Sequence, residues 1–287
     1  MDMVLTLKII FIFGILMIGG LAGYLPIFIP ALHSNKKILS FGNCFAAGIF
    51  IVVGIGHLLS DGNEAFRTTL NNDMPISNLL AVSGYLLIFF VETQIFGSAH
   101  HHKSSNQIPK KISIIPSTID KDILLNSDKS QDLELPSTQP NQASIIPGLF
   151  LTSALAVHSI FEGIAVGLMS SNSSVITISI AIIIHKIPAA VALGIAMESI
   201  KKMTYCILMG IFISSTPLGI LIGIFLSSLG YTLIQGIFLS VSAGTFMYIG
   251  CTEILPQEME KDSSSRGKFL AFCFGCIPLG VFLLFFS

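Results

Sequence analysis

The chain has 287 residues, 52% of them hydrophobic and only 11% charged, with a net charge of -1 and a mean hydropathy of +0.82. A soluble domain carries about 25% charged residues, so the composition excludes one large soluble protein. The near-neutral balance excludes nucleic acid as a partner. An all-α integral membrane protein, with the lipid bilayer as its solvent, is what remains.

A helix needs about 20 mainly apolar residues to cross a bilayer. Eight stretches predict one: 7–32, 38–59, 77–97, 147–170, 174–198, 205–229, 232–255 and 268–286. The first is too long for a signal-peptide core, and no clean small-residue cleavage site follows it. Gly19, Gly20, Pro26 and Pro30 predict bending or close packing within it. The chain thus divides into transmembrane helices at 1–97, a polar connection at 98–146 and transmembrane helices at 147–287. That 49-residue connection carries Pro109, Pro116, Pro136 and Pro140 among many polar residues. Such a composition cannot bury enough apolar surface to order itself. It opens with His100, His101 and His102, a short tract that reads either as cytosolic metal capture or as a chance polar run in a linker.

Eight spans put both termini on one side. Lys and Arg concentrate in cytoplasmic loops, and twelve of the fifteen basic residues fall in the first, third, fifth and seventh connections, from Lys36 to Lys268. Lys8, Arg67 and Lys186 are the exceptions. The odd connections are therefore expected in the cytosol and both termini outside. Cys44, Cys206, Cys251, Cys273 and Cys276 lie inside apolar runs, where thiols behave as small hydrophobes. The CxxC at 273–276 reads as structural.

Ionisable groups at bilayer depth cost at least about 2.5–3.5 kcal/mol and mark a site by default. The fourth span reads SALAVHSIFEGIAVGLMS, with His158 and Glu162 at i,i+4 and so on one face. The fifth reads SIAIIIHKIPAAVALGIA, with His185 and Lys186. Both histidines lie about 20 Å from the tight turn near residue 172, at about 1.5 Å per residue, which is close to the bilayer midplane. Pro188 leaves a backbone carbonyl free beside them. Two imidazoles and a carboxylate suit Zn²⁺ or a similar first-row ion, Fe²⁺ included. Toward the outer end lie His57, Asp61 and, in the following loop, Glu64; toward the inner end lie Glu92 and Glu253. Lys186 either points away, pairs with Glu253 or Glu162, or stands in for a second cation, and the last is favoured.

HSIFEGIAVGL at 158–168 and HKIPAAVALG at 185–194 resemble the fourth- and fifth-helix signatures of the ZIP (Zrt/Irt-like) metal transporters, most of all the subgroup with HSxFEG followed by HK. GHLLSD at 56–61, FFVE at 89–92 and GTFMYIGCTEILPQE at 244–258 extend the resemblance over most of the chain outside the loop. It implies a 3+2+3 arrangement with the first and last three helices as inverted repeats. It also implies metal influx to the cytosol, with zinc and often iron as transported substrate, no catalytic cofactor, and the plasma membrane as default location. His158, Glu162 and His185 match the primary metal positions. Ser159, Lys186 and Glu253 match a second, auxiliary site, and His57, Asp61 and Glu64 the entrance. Ala189 stands where many members carry an acid or histidine, so one ion per cycle is expected. Three loop histidines imply no strong metal buffering, and no large extracellular domain is expected before the first span. A homodimer is left open.

No HExxH occurs, against an intramembrane metalloprotease. Eight spans disfavour six-span efflux carriers. A metal-sensing or receptor-like membrane protein with a structural metal site is the alternative.

Overall fold

The structure is a computed structural model that describes residues 3–29, 35–70, 75–96, 142–197, 200–227, 232–260 and 265–286. His100, His101 and His102, with nearly all of the 98–146 connection, lie outside the described residues. Among the described residues the chain is helical, with eight long elements. Helix α1 spans Met3–Phe28. Helix α2 starts at Lys36, where the Asn35 side chain accepts from the amides of Lys37 and Ile38. It runs through a π-helical turn at Gly54–Leu58 and on to Leu70. Helix α3 spans Ile76–Phe90 with a π-helical end at Val91–Phe96. Helix α4 is Gln142–Leu168, α5 Asn172–Ala196 and α6 Lys202–Ser227. Helix α7 begins at Thr232, passes a π-helical turn at Ile249–Ile254 and ends at Glu260. Helix α8 is Ser265–Phe286.

Seven of these are long and apolar enough to cross a membrane over their described side chains, and α8 adds a 22-residue helix where the eighth span is expected. The predicted boundaries needed one notable correction. Glu64 and Arg67 do not sit in a loop, because α2 continues to Leu70. Ala65 and Phe66 are buried on that extension while its polar side chains face outward, so the segment is amphipathic where the second predicted span stopped at 59.

The protein faces lipid through α1, α3, α6 and α8, which expose residues such as Phe13, Leu21, Leu79, Leu86, Met203, Phe225, Phe274 and Ile277. Helix α4 exposes no large apolar side chain among its described residues and occupies the centre. Bare backbone lets the helices approach. A methyl group on Gly163 would sit 2.4 Å from the Thr216 carbonyl, and one on Gly219 would sit 2.4 Å from the Ile160 carbonyl. Close backbone contact at small residues is how membrane helices gain dispersion energy without a hydrophobic driving force.

The pairings obey a symmetry. Helix α1 packs on α5 as α6 packs on α4, and α3 packs on α7 as α8 packs on α2. Exchanging α1–α3 with α6–α8, and α4 with α5, maps the set onto itself. The Phe50 and Phe246 rings stack with centroids 4.9 Å apart. Four residues on, a methyl at Gly54 would meet the Ala243 carbonyl at 3.2 Å, and a methyl at Gly250 would meet the Ala47 carbonyl at 3.2 Å. Three residues further, His57 and Glu253 occupy equivalent places on the two π-helical turns. Odd and even spans run in opposite directions, so the 3+2+3 inverted repeat is the symmetry these contacts carry.

Candidate metal site

Helices α4 and α5 bring His158, Glu162 and His185 together as expected, and each is at most 2% exposed. His185 Nε2 lies 3.0 Å from Glu162 Oε1 and 3.2 Å from Oε2, and His158 Nε2 lies 3.7 Å from Oε2. One ligand atom from each residue falls within 4.8 Å of the others. His158 Nε2 has no hydrogen-bonding partner, an expensive state for a buried polar atom unless something else engages it. The Phe246 ring stacks on His158 at 3.5 Å between centroids and meets His185 edge-on at 5.1 Å. The three residues line a small space with Leu155, Ser159, Lys186, Ala189, Phe212 and Phe246. Two imidazole nitrogens and a carboxylate oxygen are a donor set for zinc and other borderline divalent ions.

Geometry and relatives agree. A family model described as "ZIP Zinc transporter" matches residues 5–287. The chain belongs to the ZIP zinc transporter family. Zinc transporter ZIP1 of Mus musculus is 31% identical over 238 residues, spanning 79% of this chain and 72% of the relative. Zinc transporter ZIP1 of Danio rerio is 26% identical across 93% of both chains. Zinc transporter ZIP3 of Homo sapiens is 27% identical across 94% of this chain and 95% of its own. As a ZIP member the protein is a multi-pass membrane transporter rather than an enzyme.

The remaining expected residues separate into distinct places of this ZIP fold. Ser159 and Lys186 come together beside the primary cluster. The Lys186 ammonium donates to Ser159 Oγ at 3.1 Å, Thr216 Oγ1 at 2.7 Å and the Phe212 carbonyl at 3.4 Å, and lies 4.1 Å over the Phe212 ring. Among the described residues its nitrogen makes no ion pair within 4.0 Å of Glu162 or Glu253. Glu253 does not join them. It sits at the far end of α7 and accepts from Gln257 Nε2 at 2.7 Å. Glu92 lies at that same end, where the Tyr248 hydroxyl donates to it.

At the opposite end His57 Nδ1 is 3.3 Å from Asp61 Oδ2. His57, Asp61 and Glu64 line a cavity of about 680 Å³ together with Ser173, Thr177 and Gln235. This end and the Glu92/Glu253 end lie on either side of the buried cluster.

Several polar partners of the site have no clear signature in the sequence. Ser242 and Thr245 on α7 surround His158 Nδ1. Their only sequence signal is an i,i+3 hydroxyl pair in an apolar run, which most often satisfies itself on its own helix. Lys8 and Lys268, counted as loop or terminal charges, are both buried. Lys8 donates to the Gly167 carbonyl in the last turn of α4 at 2.6 Å, the end of a helix dipole that favours a cation. Lys268 donates to the Glu258 carbonyl, and Glu258 accepts from Asn43 Nδ2 at 2.8 Å.

Proposed function

We propose that this protein imports Zn²⁺ into the cytosol by alternating access at His158, Glu162 and His185. The single observation that supports it most is a buried carboxylate held between two imidazoles at one depth, with a His158 nitrogen left for an ion. An isolated ionised carboxylate there would be costly, and a divalent cation offsets that cost while supplying the tetrahedral partner these atoms lack. The similarity to zinc transporters ZIP1 and ZIP3 points the same way.

The ion enters past His57, Asp61 and Glu64, sheds water at the central cluster and leaves past Glu92 and Glu253. The distribution of Lys and Arg in the loops supports an outward-facing His57 mouth and a cytosolic Glu253 end, with the plasma membrane as the site of action. Lys186 occupies a cage of oxygens beside the cluster, the position of a second cation, and so one ion moves per cycle. Ferrous iron shares this ligand chemistry and is the competitor to measure.

The test is uptake of radioactive zinc, and separately of ferrous iron, into cells expressing the wild type or Glu162→Ala, with surface abundance followed in parallel. Zinc uptake lost in Glu162→Ala at equal abundance supports the reading. Uptake that persists in the variant sends the ion elsewhere, and a correctly inserted wild type that moves neither metal favours a sensor with a structural metal site.

A further inference from the structure

Three oxygens of α7 surround one nitrogen of His158. Nδ1 is 2.9 Å from Thr245 Oγ1, 2.9 Å from Ser242 Oγ and 3.2 Å from the Ser242 carbonyl. The carbonyl can only accept. The Thr245 hydroxyl has one proton, and it donates that proton to the same Ser242 carbonyl at 2.7 Å. Toward His158 the Thr245 oxygen is therefore left as an acceptor. The Ser242 hydroxyl has the His158 carbonyl as its own acceptor at 3.5 Å, so two acceptors facing one ring nitrogen favour the proton on Nδ1 and turn the Nε2 lone pair toward Glu162 and His185. All three residues are buried: Ser242 and Thr245 have no exposure, and His158 has 2%.

We infer that Thr245 and Ser242 are positioning residues for metal binding: from α7 they hold His158 on α4 in the one tautomer and ring orientation that presents Nε2 to the ion. Partners behind a metal-binding histidine set its tautomer and raise its basicity. Here the partners belong to another helix, so the readiness of His158 depends on the register of α7 against α4. If α7 shifts along α4, the acceptors withdraw, the imidazole is free to turn, and the ion loses a ligand. The inference rests on the zinc-site reading above.

Zinc binding to the detergent-purified full chain tests it, paired with the concentration dependence of uptake. Thr245→Val keeps the shape and removes the acceptor. It is expected to weaken zinc binding about 10-fold and to raise the KM of uptake by a similar factor at unchanged abundance. Thr245→Ser restores both. In a His158→Ala background Thr245→Val has no further effect, because it acts through that ring. Thr245→Ala, which adds no bulk, is a second variant with the same expectation. Wild-type affinity in both Thr245→Val and Thr245→Ala would overturn the inference, and so would a full loss that persists in the His158→Ala background. If His158→Ala and Glu162→Ala themselves bind zinc as the wild type does, the zinc site is misplaced and this inference falls with it.

Discussion

The Lys186 ammonium reaches Thr216 Oγ1 at 2.7 Å, bridging α5 to α6, while the Glu162 carboxylate is met by His185 Nε2 at 3.0 Å. A cation is thereby fixed beside a cation-binding site, held by two hydroxyls, a carbonyl and an aromatic face. Replacing it has two separable consequences. Lys186→Met removes a positive charge that opposes the incoming ion, so the KM for zinc is expected to fall. It also strips the donor from buried oxygens, at about 1–3 kcal/mol for groups left unsatisfied, and the melting temperature of the purified protein drops. An unchanged KM would show that the ammonium is electrostatically invisible to the ion.

At the other mouth, Asp61 and Glu64 project into a wide, solvent-connected cavity. Acidic clefts concentrate cations and raise association rates by about 10-fold or more, an effect that salt screens. The Asp61→Asn, Glu64→Gln double variant is expected to slow uptake at sub-saturating zinc and low ionic strength, with little change in maximal rate. Raising the salt narrows the gap to wild type. A fall in maximal rate that ignores ionic strength would assign these residues a role in the conformational cycle instead.

The α4–α6 contact makes a sharper prediction about folding. Gly219→Ala would drive a methyl to 2.4 Å from the Ile160 carbonyl, whereas Gly210→Ala on the same helix meets nothing within 4 Å. Overpacking costs about 1–3 kcal/mol. A helix-interior Gly→Ala with free space gains up to about 1 kcal/mol. Thermal unfolding in detergent should therefore lower the midpoint for Gly219→Ala and leave it unchanged or raised for Gly210→Ala. Equal midpoints would mean that α4 and α6 do not approach this closely.

These contrasts show what the sequence makes legible. The eight spans follow from apolar run length, because a bilayer demands about 20 such residues whatever the neighbours are. His158, Glu162 and His185 follow from helical spacing and depth, both of which are local arithmetic. The extension of α2 to Leu70 hides behind its polar face, since only the burial of Ala65 and Phe66 against other helices distinguishes it from a loop. Lys8 and Lys268 look like loop charges because their partners, the carbonyls of Gly167 and Glu258, are backbone atoms with no residue signature. Ser242 and Thr245 are a tertiary fact: nothing in α7 alone says that their oxygens meet His158 rather than their own helix.

The most direct test of zinc passage through the His158, Glu162 and His185 cluster is zinc flux into liposomes reconstituted with the purified protein alone, comparing wild type with Glu162→Gln. The substitution keeps the size of the side chain and removes its charge. Saturable flux in the wild type, reduced at least about 100-fold in the variant, as expected when a metal loses its one anionic ligand, is the predicted result. Flux of equal rate and saturation in both proteins would contradict the account, because the ion would then cross without the carboxylate on which the site is built.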